Sequence, residues 1–574
     1  MNKVKIFIVL LFSMFLSLNA QNNIGKDYYN VNEYELAKKY FLQNLSVNPA
    51  EANYYLGEIS YSEGDMEAAT NYYNQGLQTK LDPYCRIGLA KIDLKAGKKV
   101  EAASTFISMQ KKYPKEVDIL IPIGYAYLDN KIMPEVESLL AEMIKIDKTN
   151  PRMYVLEGDK LKVEDKIGQA AGKYEMAIHF DENYAPAYIR IAEVYEKINP
   201  QAAIGKLKEL LELKPNYTIA YRYLGRIYNS NGYYPSAIDA FKTYFAAENY
   251  TLDDISRYAS ALYFNKNYEE AMAMIQKGLA IMPDHFVLNR LQMYIAANTL
   301  NVETGFSLNV ETGLQYAKKF FALKNQKDAA FLLSDYTQYA LLLKEAKMYD
   351  EAMEQYKHAL QMDGAAIEIY KEIAHIAATK KLNYLAAEYY SNYITKSGDK
   401  VEALDYLQMG KYYYSAGSIR TAADTANILN RHNDMSFIST ISQNELQKDS
   451  LLQSASLFIE KAVKYYLIQA DKAFSMVIEI VPESYQGYLW KARTNSLLDP
   501  DSENGLAKPH YEKLLEVIAD RDDLKSINLE AYQYLGFYHY IKNDTPNIIL
   551  YWNKVLELDP ENNNAKEVFK HIKQ

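Results

Sequence analysis

A single cysteine, Cys85, stands among 574 residues, so no internal disulfide can form and packing alone must hold the chain. Without a second cysteine there is no Cys pair for zinc, and the eight scattered histidines contain no His-Glu-x-x-His. A phosphate-binding Gly-Lys-Ser/Thr loop and a Gly-x-Ser-x-Gly elbow are missing as well. No catalytic residue, cofactor site or metal site is therefore expected. An excess of positive charge is also lacking. The formal charge is −9, becoming −11 once Lys3 and Lys5 are removed with the leader described below, and no basic cluster interrupts the acidic balance. Nucleic acid and an anionic membrane surface are poor partners for such a chain.

Long apolar runs are confined to the start. In MNKVKIFIVLLFSMFLSLNAQ, Lys3 and Lys5 precede an apolar stretch from Ile6 to Leu18, followed by Asn19-Ala20-Gln21. This is the layout of a cleaved secretory signal over residues 1–20. The stretch is shorter than the roughly 20 apolar residues of a membrane span, and no cysteine follows it to carry a lipid. The mature chain is expected to be exported, to the periplasm first and alternatively to the outer membrane or the medium, with no membrane span.

What is present is repetition. In Tyr217 to Glu248, YTIAYRYLGRIYNSNGYYPSAIDAFKTYFAAE, the residues Ala220, Tyr221, Leu224, Gly225 and Tyr228 recur at three- and four-residue steps and share a helix face. Asn231-Gly232 breaks the helix, and Ala237, Phe241 and Tyr244 share the face of a second one. Small Ala237 is expected opposite Gly225, letting the two backbones approach. Such a hairpin cannot bury its apolar face alone and should stack on copies of itself.

The pattern Tyr-x-x-Leu-Gly-x-x-Tyr, a Gly turn, then Ala-x-x-x-Phe-x-x-Tyr resembles the tetratricopeptide repeat. The resemblance runs in register through Leu56-Gly57, Leu89-Ala90, Gly124, Gly158, Ala192, Gly410 and Leu535-Gly536, giving about fourteen or fifteen copies over nearly the whole mature chain. It implies an all-α, right-handed superhelical solenoid of antiparallel helix pairs, with first helices lining a concave groove. It also implies a non-catalytic scaffold that binds a protein or extended peptide.

The chain divides by pattern into an N-terminal array (21–297), an irregular insertion (298–316), a middle array (317–429), a polar irregular segment (430–456) and a C-terminal array with a capping helix (457–574). The opening helix near Asn23 to Asn30 is poorly marked and reads as frayed. Within Asn289 to Leu314 the motif NVETGFSLNVETG writes one unit twice, read as a lengthened bend with helix resuming at Gln315. The segment Asn430 to Ser456 lacks turn signals and reads as a longer helix, a loop or a flexible joint. Asp499, Asp501 and Glu503 alternate as in a calcium loop. Gly505 comes one position late, however, and His510 stands where a bidentate Glu is needed, so the segment reads as an enlarged turn.

The 54 tyrosines suit the large packing positions of such pairs, with the hydroxyl at the edge. Counting from the Leu-Gly pair, the candidate groove residues are Tyr54, Tyr61, Tyr125, Arg222, Arg226, Asn229, Tyr263, Phe264, Lys411, Tyr414, Phe537 and Tyr540. Arg222 and Arg226 lie one helical turn apart and could grip a carboxylate, unless Glu193 and Glu196 of the preceding copy pair with them. A glycan-binding reading would use groove tyrosines with Trp490 or Trp552 as stacking platforms. The oligomeric state is open.

Overall fold

A computed structural model describes residues 24–572 apart from 78, 248, 301–306, 327–329 and 520. The leader over residues 1–20 and the first copy of the duplicated motif thus lie outside the described residues. Those described form helices joined by short turns, with no strand among them. The helices come in antiparallel pairs, from 24–30 with Tyr34–Asn44 through to Lys525–Ile541 with Thr545–Leu558, and Asn563–Ile572 follows as a single terminal helix. This is the all-α repeat superhelix that the resemblance implies. The chain divides into two compact units, one running to Ile295 and the other from Leu308 to the end together with Ala296–Leu300.

Pairing rests on one contact used repeatedly. A Cβ on Gly225 would stand 2.8 Å from the Phe241 ring, and one on Gly158 would stand 2.3 Å from that of Tyr174. The glycine therefore seats the large ring of its partner helix, rather than small Ala237 as the sequence suggested, and Gly410 with Phe474 repeats the device in the second unit. Phe241, Tyr174 and Phe474 are fully buried as a result. Gly64, Gly97 and Gly232 turn the chain between helices with φ near +80°. In other pairs Lys131, Asp165, Lys266, Lys347, Lys381 and Asn543 occupy that place with φ between 55° and 64°. For such residues the conformation costs about 1–2 kcal/mol, which the surrounding packing must offset.

Three irregular places differ from the reading above. The opening helix is held rather than frayed: its Tyr28 is among the largest fully buried side chains. The helix expected to resume at Gln315 begins at Val310, because Asn309 caps it by accepting the Thr312 N–H at 2.8 Å. The second copy of the duplicated motif is thus partly helical. The polar segment folds as two short helices, Met435–Ile441 and Glu445–Gln453. Phe437, Ile438 and Leu451 are buried there, with Phe437 stacked on Tyr466 of the 26-residue helix Ala455–Ile480. Those three anchor the segment, while Met435, Leu446 and Leu452 stay exposed.

The segment with alternating carboxylates is a closed turn between Tyr485–Leu498 and Lys508–Val517. Burial opposes the charge of Asp499, yet the N–H groups of Asn504 and Leu506 stabilise it and hold its carboxyl below the usual range. Among the described residues no group of three His, Cys, Asp or Glu side chains is placed to hold a metal ion. Cys85 is buried against Gly76, and burial pushes its thiol up to about 12.

Candidate functional site: a tyrosine-lined cavity in the first unit

The first helices of neighbouring pairs are cross-linked by a recurring triad of tyrosine, carboxylate and cation. Tyr73 donates to Glu58 (2.7 Å), which pairs with Lys91 at 3.1 Å. Tyr174 donates to Asp159 (2.8 Å), which faces Arg190 at 3.6 Å. Tyr244 donates to Asp254 (3.1 Å), which pairs with Arg222 at 2.6 Å. In the second unit Tyr390, Asp405 and Lys371 repeat the set, as do Tyr511, Glu530 and Arg493. Burial and the adjacent carboxylate raise the pKa of each of these hydroxyls, which therefore donate as neutral phenols.

Arg222 therefore does not join Arg226 in gripping a ligand carboxylate. Arg226 pairs with Glu196 at 2.8 Å, as the alternative reading had it, and lies over the Tyr223 ring. Arg222 takes Asp254 and Glu33 instead of Glu193, whose carboxylate accepts from the Tyr223 hydroxyl at 3.0 Å. Asn229 donates to the Arg257 carbonyl at 3.5 Å.

The contact with Glu33 shows how far the first unit curls. The Tyr223 hydroxyl, shared with Glu193, lies 3.0 Å from Glu33 across 190 residues, and Arg190 donates to the Asn30 carbonyl at 3.4 Å across 160. The opening pair thereby meets the helices Ala185–Glu196 and Thr218–Ser230. The inner surface forms a partly open cavity of about 540 Å³, where a concave groove was expected. Its walls are the first helices of successive pairs and their flanking turns.

Tyr54, Tyr61 and Tyr125 come together in this cavity, joined by Tyr29, Tyr34 and Tyr184. Tyr125 donates to Asp159 at 2.9 Å. Lys91 lies 4.2 Å over the Tyr61 ring and pairs with Asp129 at 2.8 Å as well as with Glu58. Burial disfavours its charge, but the two carboxylates outweigh burial and raise its pKa. Sequence reasoning missed Lys91 and Arg190. The signal was present: Glu58 and Asp159 each follow the glycine of a first helix, and a cation stands 33 or 31 residues later at the matching place of the next copy.

The remaining candidates are dispersed. Phe264, 54% exposed, stacks on Tyr234, and Tyr263 packs edge-on against Phe264. Tyr414 and Lys411 both contact the half-buried Trp490. Phe537 and Tyr540 are exposed on one first helix of the second unit. Trp552 is buried against Gly536 and is no stacking platform for a glycan.

Stacked helix pairs, glycine-seated aromatics and walls of first helices define a helical-repeat array. The profile of the tetratricopeptide repeat matches residues 22–84 and 195–250, which together with the helix pairs supports a tetratricopeptide-repeat protein. It is 22% identical over 267 residues to the TPR repeat-containing protein YpiA of Bacillus subtilis, a match covering 45% of this chain and 62% of that protein. Among solved structures it is similar to the C-terminal part of a TPR repeat-containing protein from Cytophaga hutchinsonii, with 24% identity and a TM-score of 0.35, covering 54% of this chain and 98% of that one. A tetratricopeptide repeat protein from Parabacteroides merdae is similar at 16% identity and a TM-score of 0.30, covering 46% of this chain and 98% of that one. Proteins of this family are generally non-catalytic scaffolds that bind proteins or peptides.

Proposed function

We propose that the protein is an exported, non-catalytic scaffold that binds another protein in the bacterial cell envelope, in assembly or secretion. The observation that carries this reading is the exposure of large aromatics on first helices, with Phe264 at 54%, Phe537 at 46% and Tyr540 at 42%. Rings left in water on the inner helices of a repeat array are suited to anchor an extended chain. Export rests on the leader pattern of residues 1–20, and no described helix is long and apolar enough to cross a membrane.

Affinity capture of the protein from cross-linked envelope extract, read by mass spectrometry, tests the reading. One stoichiometric envelope protein is expected, lost when Phe537 and Tyr540 are both changed to Ala. Recovery of nothing above a control chain would overturn the scaffold role. Retention of the first 20 residues and residence in the cytoplasm would overturn export.

A further inference from the structure

We propose that the cavity of the first unit is a binding site for a small organic anion, a carboxylate or phosphate carried on a flat or apolar body. This goes beyond partner capture on exposed aromatics and does not depend on it.

Charge carries the proposal. The chain is acidic overall, yet the cavity lining holds six cations against three carboxylates. All three carboxylates are occupied. Glu58 accepts from Tyr73, Tyr29 and Lys91, Asp129 pairs with Lys91, and Asp159 accepts from Tyr125 and Tyr174 beside Arg190. Arg152 and Lys162 pair with Asp118 and Glu193, which are not part of the lining. Lys95 and Lys131 remain, both exposed and neither within ion-pair distance of a carboxylate among the described residues. Lys95 stands 4.7 Å over the Tyr61 ring, beside buried Lys91. Arg190, 5% exposed, is already engaged by Asp159 at 3.6 Å and Glu193 at 3.5 Å, so the two exposed lysines carry the surplus. Surplus positive charge at the rim of a partly closed concave wall attracts an anion more strongly than the same charge on an open surface.

Size and lining define the rest of the ligand. A volume of about 540 Å³ is that of a small-molecule pocket. Tyr54, Tyr61 and Tyr184, with Ile121 and Val155, give the space that its body would fill an aromatic and apolar lining.

Titration calorimetry of the purified protein with inorganic phosphate, benzoate and phenyl phosphate tests this. The expected result is one saturable site per chain for phenyl phosphate or benzoate, the better of the two identifying the anion. Binding should be weaker for inorganic phosphate, which lacks the ring, and weaker in high salt. The double variant Lys95→Ala/Lys131→Ala should lose roughly tenfold or more in affinity with an unchanged melting temperature, since neither lysine has an ionic partner. Phe537→Ala, in the other unit, should bind as the parent does. Absence of saturable binding by all three probes, or equal affinity in the lysine double variant, would overturn the proposal. Because the capture experiment reads Phe537 and Tyr540, either reading can fail alone.

Discussion

The same triad is built in both units, but it is buried in the first and half-open in the second. Lys91 and Glu58 have side chains 6% and 8% exposed, and Arg222 and Asp254 11% and 1%, whereas Arg493 and Glu530 are 30% and 32% exposed. The local geometry does not account for this, since Arg493 holds Glu530 through two bonds of 2.8 and 2.6 Å. The curl of the first unit does, because its opening pair comes back over the inner helices near Asn30 and Glu33. One repeated motif therefore has two energetic meanings. Removing one partner of a buried pair strands a charge in low dielectric, and removing one from a wet pair returns the other to water.

The largest effect should follow from breaking that contrast directly. Arg222→Met leaves Asp254 and Glu33 uncompensated and is expected to destabilise by about 3–5 kcal/mol. Arg493→Met should cost about 1 kcal/mol or less. Urea unfolding of the two variants checks both, and equal losses would show that burial is not what separates the units. Next in size, Gly158→Val drives a side chain into the Tyr174 ring and should cost about 1–3 kcal/mol. Gly172→Val, where a Cβ meets nothing within 4 Å, serves as its control.

A smaller and local effect is expected from Glu33→Gln, which keeps the shape but removes the charge that holds Arg222 and Tyr223. Hydrogen exchange in Tyr34–Asn44 should speed up roughly tenfold, with helices of the second unit unaffected. The smallest is a pH effect. Burial raises the carboxyl of Asp27, in the opening helix, from 3.8 to about 6, against the opposing pull of Lys214 and Lys26. Between these values the folded chain binds more protons than the unfolded one, so this group's contribution falls as pH rises from about 4 to 6. Asp27→Asn should therefore raise the melting temperature at pH 7 by about 1–2 °C and leave it unchanged near pH 4.

The fold was legible because its signals are local. Leu-Gly in a first helix and Ala-x-x-x-Phe in the second lie within 20 residues of each other, and their recurrence fixes pairing copy by copy. The cavity was not legible, although Tyr54, Tyr61 and Tyr125 were singled out for its surface. Which helix face looks inward follows from the repeat, but whether inner faces meet depends on a small rotation per pair, accumulated over seven pairs. The fate of Arg222 shows the same limit. Glu196, one copy earlier, was a correct guess for Arg226, while Arg222 is claimed by Asp254 in the following copy and by Glu33 at the far end of the unit.

By itself the sequence determined a stacked array of helix pairs and a chain with neither disulfides nor a recognisable catalytic motif, and its resemblance to a known repeat added a wall built from first helices. Only the tertiary structure decided which charges are satisfied, which tyrosines share one cavity, and that the first copy returns to the seventh. Periodicity specifies neighbours a few tens of residues apart, whereas contacts across 160 and 190 residues arise from the summed curvature of the pairs between them.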